Sequence, residues 1–103
     1  MEGKYEIRYL PLFYDDMSEI VDYIAYELNN PKAAYELVDK VEAAICERCI
    51  CPKAFEPYRG QRKRKDQYYR IYVENFVIYY VVVSDVMEVR RMLYGKRNPE
   101  RML

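Results

Sequence analysis

Hydrophobic and polar positions alternate, then cluster, along this chain in a readable order. Tyr5-Glu6-Ile7-Arg8-Tyr9-Leu10 alternates bulky apolar with charged residues, the pattern of a strand with one buried face. Pro11 ends it. Phe13, Met17, Ile20, Val21, Ile24 and Leu28 then fall on one stripe of a helix. Asp15, Asp16, Glu19, Asp22 and Glu27 lie mostly off that stripe, and the earliest of them suit the positive end of a helix dipole. Asn29-Asn30-Pro31 reads as a stop and a restart, with Asn30 as N-cap and Pro31 at the first helical position. Ala34, Leu37, Val38, Val41 and Ile45 form the apolar stripe of a second helix, which Pro52 closes. So short a link predicts an antiparallel helix hairpin.

Residues 52–67 show no periodicity and carry Pro52, Pro57, Gly60 and the basic run Arg62-Lys63-Arg64-Lys65, which reads as a loop. The remainder is β-rich. Tyr68 to Val73 and Phe76 to Val83 are two strands joined by Glu74-Asn75, and the second is apolar enough to be central in a sheet. Ser84-Asp85 turns the chain into a last strand, Val86 to Tyr94, before Gly95 and a basic tail. The order is β-α-α-β-β-β. With no helix between them, the last three strands form an antiparallel meander, and the helix hairpin covers one face of it. The fold class is α+β, with residues 1–103 as a single domain.

Composition changes this picture in two places. The chain has no histidine, which excludes an imidazole base or a histidine metal ligand. Its 17 basic and 17 acidic residues cancel, which taken alone argues against a polyanion partner. The distribution reverses that argument. Residues 1–57 hold six basic and twelve acidic groups, and residues 58–103 hold eleven basic and five acidic ones. A net charge of −6 therefore faces one of +6, and the second half is suited to a polyanion or an acidic protein.

No basic-then-apolar leader opens the sequence, and the longest apolar run, Phe76 to Val83, is too short to span a bilayer. Cys46, Cys49 and Cys51 are odd in number and clustered, unlike a disulfide framework. The expectation is a cytoplasmic, reduced protein without membrane contact. The three cysteines lack a fourth thiol or an imidazole, so neither a metal nor another cofactor is expected, and packing at a helix end accounts for them.

Several segments together resemble one family. They are Tyr9-Leu10-Pro11, Ile20-Val21-Asp22-Tyr23-Ile24, Leu28-Asn29-Asn30-Pro31 with Ala33-Ala34, and Tyr69-Arg70-Ile71-Tyr72-Val73. Phe76-Val77-Ile78-Tyr79-Tyr80 comes next, and Val89 to Asn98 closes the set. In this order and spacing the chain resembles the RelE/ParE superfamily of small bacterial toxins, also known as plasmid-stabilisation proteins. The resemblance implies a helix hairpin on a twisted antiparallel sheet. It implies the toxin of a type II toxin–antitoxin pair, held inactive by a cognate antitoxin whose acidic tail wraps it. The basic second half is a sensible receptor for that tail.

Two activities exist in the superfamily: RelE-like members cut mRNA on the ribosome, and ParE-like members poison DNA gyrase without catalytic groups. For the first, the resemblance implies Arg70 on the second strand and Arg97 after the last, preceded by Lys96, with Tyr72 and Tyr94 as candidate tyrosines. Two positions depart from the nuclease pattern. Val77 stands where the best-known nucleases have arginine, and the tyrosine expected beyond Arg97 has no counterpart in Pro99 to Leu103. The run Arg62, Lys63, Arg64 and Lys65, with Lys96, is the candidate contact for nucleic acid or antitoxin. Tyr58, Tyr68 and Tyr69 flank that run as rings able to stack on bases. Arg90 and Arg91, consecutive on a strand, should face opposite ways. A homodimer or a toxin–antitoxin heterocomplex are both open to the fold. The alternative from another class is a non-toxic interaction or nucleic-acid-binding domain on the same fold.

Overall fold

The computed structural model describes residues 4–60 and 63–103. Strand β1 (Glu6–Tyr9) leads into helix α1 (Pro11–Asp22), which runs on through a π-helical turn (Tyr23–Glu27). Helix α2 spans Pro31–Arg48, and strands β2 (Tyr69–Val73), β3 (Phe76–Val83) and β4 (Val86–Tyr94) come after it. A short 3-10 turn, Pro99–Arg101, lies near the C-terminus.

Local chemistry explains the helix boundaries. Pro11 and Pro31 occupy first-turn positions where a missing N–H costs nothing. Asn30 caps α2 by accepting a hydrogen bond from the Ala33 amide at 3.2 Å. The π-helical turn widens the helical repeat and rotates the residues beyond it about the helix axis. Leu28 therefore leaves the apolar stripe and stands in solvent, although its spacing in a regular helix puts it on the buried face. Asp15 and Asp16 lie beyond the first turn of α1, so the dipole is not what places them.

The sheet order is β1-β4-β3-β2. β2, β3 and β4 form the expected antiparallel meander, and β3 is central. β1 joins the outer edge of β4 in parallel, so the sheet is mixed rather than wholly antiparallel. Alternation along Tyr5 to Leu10 reveals which residues are buried but not the direction of the neighbouring strand. The other outer edge, β2, is partly covered: Pro57 bridges to Tyr69, and the Tyr58 amide donates to the Tyr68 carbonyl.

Both helices cover one face. Leu37, Val41 and Ile45 of α2 and Phe13 of α1 meet Ile71, Ile78, Tyr80, Met87, Val89 and Met92 in the main core. On the opposite face Val77, Tyr79 and Leu93 form a smaller cluster, covered by Met102 and Leu103 of the C-terminal segment. A bulge between β3 and β4 interrupts the ladder: Tyr79 pairs with Arg91 while Tyr80 pairs with Val89, leaving Arg90 as the extra residue. Val89 and Met92 both enter the main core despite lying an odd number of positions apart, which strict alternation forbids. Consequently Arg90 and Arg91 do not divide between the two faces as their adjacency predicts. Among the described residues, no helix is long and apolar enough to cross a membrane.

Candidate functional site

The sheet face turned away from the helices carries most of the chemistry. Arg70 and Tyr72 alternate onto it from β2, opposite the residues of that strand that enter the main core. From them a ladder of alternating rings and guanidinium groups runs across the face into the basic loop. The Arg70 guanidinium lies 5.8 Å from the Tyr72 ring centre and 5.1 Å from that of Tyr58. Arg64 is 5.8 Å from Tyr58 and 5.9 Å from Tyr68, and Arg90 closes the series at 5.6 Å from Tyr68. These separations are in the range where a cation is attracted by the ring quadrupole.

The inner end of the ladder is locked. Arg90 donates to Glu88, Asp66 and the Tyr68 hydroxyl. Tyr58 donates its hydroxyl to Glu100, which also pairs with Arg64. A Cβ on Gly60 would overlap the Glu100 carboxylate and the Arg64 guanidinium as they stand, so a larger residue there would make these side chains shift. Glu100 thereby ties the C-terminal segment to the loop. The outer end is open. Tyr72 is 66% exposed, and Arg70 has no carboxylate partner among the described residues. Beside Tyr58 a cleft of about 360 Å³ is lined by Arg59, Gly60, Arg64, Lys65, Gln67 and Tyr68, among others. Gln67 shapes its wall by donating to the Tyr58 and Tyr68 carbonyls.

Burial, with the Glu100 hydrogen bond, pushes the Tyr58 phenol up to about 12. An unfolded tyrosine titrates near pH ~10. The folded state holds this proton more tightly. The contribution is therefore fully present below pH ~10 and is lost as pH rises through about 12. Tyr58→Phe is expected to remove one phenol from the late part of an ultraviolet absorbance titration. An unchanged titration curve would show that Tyr58 is not that group.

The sequence-derived candidates separate into three places. Arg70 and Tyr72 meet on the open face, joined through Tyr58 to Arg64, and Lys65 lines the adjacent cleft. Lys63 is exposed on the same loop, and Arg62 lies outside the described residues. Tyr94 packs against Phe76 on the helix side of the sheet and, with Lys96, lines a separate small recess of about 210 Å³. Arg97 donates to the Met102 sulfur at 3.7 Å and does not reach Arg70. Val77, at the position of the missing arginine, sits in the apolar cluster beneath Met102 and Leu103. Tyr69 is buried on the helix side, stacked on Tyr80 at 5.3 Å, so of the three flanking rings it is turned away from the face.

Two contributors are not legible in the sequence: Tyr58 as the ring joining Arg64 to Arg70, and Glu100 as the carboxylate holding it. The C-terminal Pro99–Arg101 turn is the available signal, since a short turn bearing Glu100 must pack somewhere. Cys46, Cys49 and Cys51 are free thiols, and the Cys49 thiol donates to the Tyr5 carbonyl at 3.4 Å. Among the described residues, no three histidine, cysteine or acidic side chains cluster as a metal site.

A family model described as the ParE toxin of the type II toxin–antitoxin system, parDE, matches residues 7–99. Among solved structures, the chromosomal ParDE system from P. aeruginosa aligns with a TM-score of 0.75 at 12% identity, over 90% of this chain and 98% of that one. The RelB–RelE antitoxin–toxin complex from Methanococcus jannaschii gives 0.48 at 19% identity, over 86% and 91%. The E. coli DinJ–YafQ complex gives 0.46 at 15% identity, over 87% and 92%. No curated protein sequence matches.

Proposed function

This chain belongs to the ParE toxin family of type II toxin–antitoxin systems, and we propose that it acts by binding DNA gyrase rather than by cutting mRNA. One observation carries the choice. The residues that an RNA-cutting reading needs do not converge: Tyr94 packs with Phe76, Arg97 turns to Met102, and Val77 lies under the chain's own C-terminal segment. Cleavage of a ribose phosphodiester needs a base, an acid and charge stabilisation within hydrogen-bond reach of one phosphate. Among the described residues, Arg70 and Tyr72 supply charge and a ring, Tyr58 beside them gives its hydroxyl to Glu100, and neither Tyr94 nor Arg97 joins them. A toxin that works by occupying its target needs no such set.

In this reading a cognate antitoxin silences the toxin, with its acidic segment meeting the basic second half. The target and both proteins share the cytoplasm, consistent with three free thiols. The test is induced expression with and without the antitoxin, with plasmid supercoiling and mRNA 5′ ends followed in parallel. Growth arrest with lost supercoiling, relieved by the antitoxin, is the expected result. New mRNA ends that vanish in Arg70→Ala or Arg97→Ala would overturn it and restore the nuclease reading.

A further inference from the structure

We propose that the outer face of the helix hairpin docks a second copy of this chain, receiving the basic open face of that copy's sheet. The inference rests on neither gyrase nor the antitoxin.

Tyr35, Asp39 and Glu42 recur on α2 at spacings of four and three, so they share one stripe of the helix. All three are exposed, whereas Ala34, Leu37, Val41 and Ile45 of the same helix are buried. Asp15, Asp22, Glu27 and Glu47 are exposed as well, and none of these carboxylates forms an ion pair among the described residues. The hairpin's own cations do not offset them. Lys40 is paired with Glu74 and Arg48 is turned inward to Tyr80, which leaves Lys32. Tyr26 and Tyr35, 78% and 74% exposed, are the most open large apolar side chains among the described residues, and both belong to the hairpin. Tyrosine is a ring that interfaces favour, since it covers apolar area and keeps a polar tip.

The surface complementary to this one is on the chain itself. Arg59, Lys63, Lys65 and Arg70 have no acidic partner among the described residues, and Tyr72 stands beside Arg70 with two-thirds of its surface exposed. Asp66, Glu74, Glu88 and Glu100 are held in ion pairs, so they do not neutralise those cations. The acidic and basic faces lie on opposite sides of a two-layer molecule. The helix layer alone is about 10 Å thick, beyond the Debye length of ~8 Å at physiological salt, so one chain cannot match its own charges. Faces turned away from each other cannot both meet in a two-fold pair either. A two-fold contact through one face would set acid against acid or base against base, which is repulsive. Acid meets base only head to tail, with the open face of one copy on the hairpin of the next. Such a contact does not close in a dimer, so copies add stepwise. A stack leaves a single open face uncovered, so the fraction of toxin with Arg70 and Tyr72 accessible falls as concentration rises.

Sedimentation velocity of the purified toxin over a range of concentrations, at about 0.05 M and about 0.5 M salt, tests this. At low salt the mean sedimentation coefficient should climb with concentration past the dimer value. At high salt it should return to that of the monomer. Two sets of neutral substitutions assign the faces. Tyr35→Ala with Asp39→Asn and Glu42→Gln alters the hairpin, and Tyr72→Ala with Lys65→Gln and Arg70→Gln alters the open face. Each variant alone should associate about tenfold more weakly. Mixed in equal amounts, the two should recover wild-type affinity as a one-to-one pair that grows no further, because the mixture holds one intact face of each kind. That recovered binding also shows that both variants fold. Wild-type association by either variant alone, a mixture no tighter than its components, or association that salt leaves unchanged would each overturn the proposal. So would a monomer at every salt, even one whose hairpin binds polylysine, which would assign the hairpin to a different basic partner. Gyrase and antitoxin are absent from the assay, so its outcome is independent of the supercoiling result.

Discussion

Asp16→Ala is expected to destabilise the fold by about 3 kcal/mol and to lower Tm by roughly 15 °C. Asp16 projects from α1 onto the outer edge of β4, beyond the point where β1 stops. β1 pairs with β4 only as far as Tyr9 and Val89, so the amides of the later β4 residues lack a strand partner there. Asp16 replaces it: the carboxylate accepts from the Met92 amide at 2.9 Å. The same carboxylate receives both prongs of the Arg91 guanidinium, at 2.7 and 2.8 Å. Arg91 also donates to the Met102 carbonyl, which draws in the C-terminal segment. Hydrogen bonding to Asp16 pushes the Arg91 guanidinium further up, so it stays charged.

Alanine would leave the Met92 amide without its acceptor and the largely shielded Arg91 charge without a carboxylate, with the Met102 carbonyl still accepting from it. Asn at position 16 keeps an acceptor for Met92 and loses the ion pair, so Asp16→Asn should cost about half as much. Urea titration of the three proteins checks the order. Equal stability of Asp16→Ala and the parent would mean that water satisfies the edge and that the carboxylate contributes nothing.

This carboxylate also marks where the sequence stops being readable. Periodicity identifies the two helices, the meander and the central β3, because each depends on residues near in sequence and on one repeat. Asp16 reads as dipole chemistry because its partners, Arg91 and Met92, are distant in sequence and set by tertiary packing. The bulge at Arg90 defeats the alternation rule for the same reason: an extra residue in a ladder leaves no local mark. The candidate site divides along this line. Arg70 and Tyr72 share a strand, and two-residue periodicity puts them on one face. Tyr94 is also on a strand, but its face depends on the bulge two positions before Met92, and it lies on the other side. Arg97 depends on the course of a tail whose contacts, through Glu100 and Met102, no periodicity describes. The charge split keeps its meaning better. The acidic groups of the second half are mostly held in ion pairs, while Arg59, Lys63, Lys65 and Arg70 have no acidic partner among the described residues.

Arg48→Ala should cost about as much as Asp16→Ala, and its effect should reach the open face. Arg48 ends α2 and points beneath the loop that leads to Tyr58. Its Nη1 donates to the Arg70 carbonyl and to the Tyr80 hydroxyl, each at 2.9 Å. The guanidinium lies 3.6 Å from the Phe55 ring centre. Tyr80 is fully buried and donates its own proton to the Pro52 carbonyl at 2.7 Å, and burial pushes its phenol up. One guanidinium thus joins α2, the edge of β2, the central strand and the loop start. Removing two charge-assisted hydrogen bonds together with a close cation–ring stack implies about 3 kcal/mol. Arg48→Lys should restore little, since a single ammonium cannot both stack flat on Phe55 and reach the two acceptors. Tyr80→Phe leaves the Pro52 carbonyl without its donor and should cost about 2 kcal/mol. Because the two residues share one network, the double variant should lose about 1 kcal/mol less than the sum of the singles. Strict additivity in chemical denaturation would show that they act independently. Limited proteolysis supplies the second readout: cleavage between residues 50 and 60 should rise in Arg48→Ala, because the loop that seats Tyr58 in the ladder is no longer anchored. Unchanged cleavage there would mean that Pro57 pairing with Tyr69 holds the loop without help from Arg48.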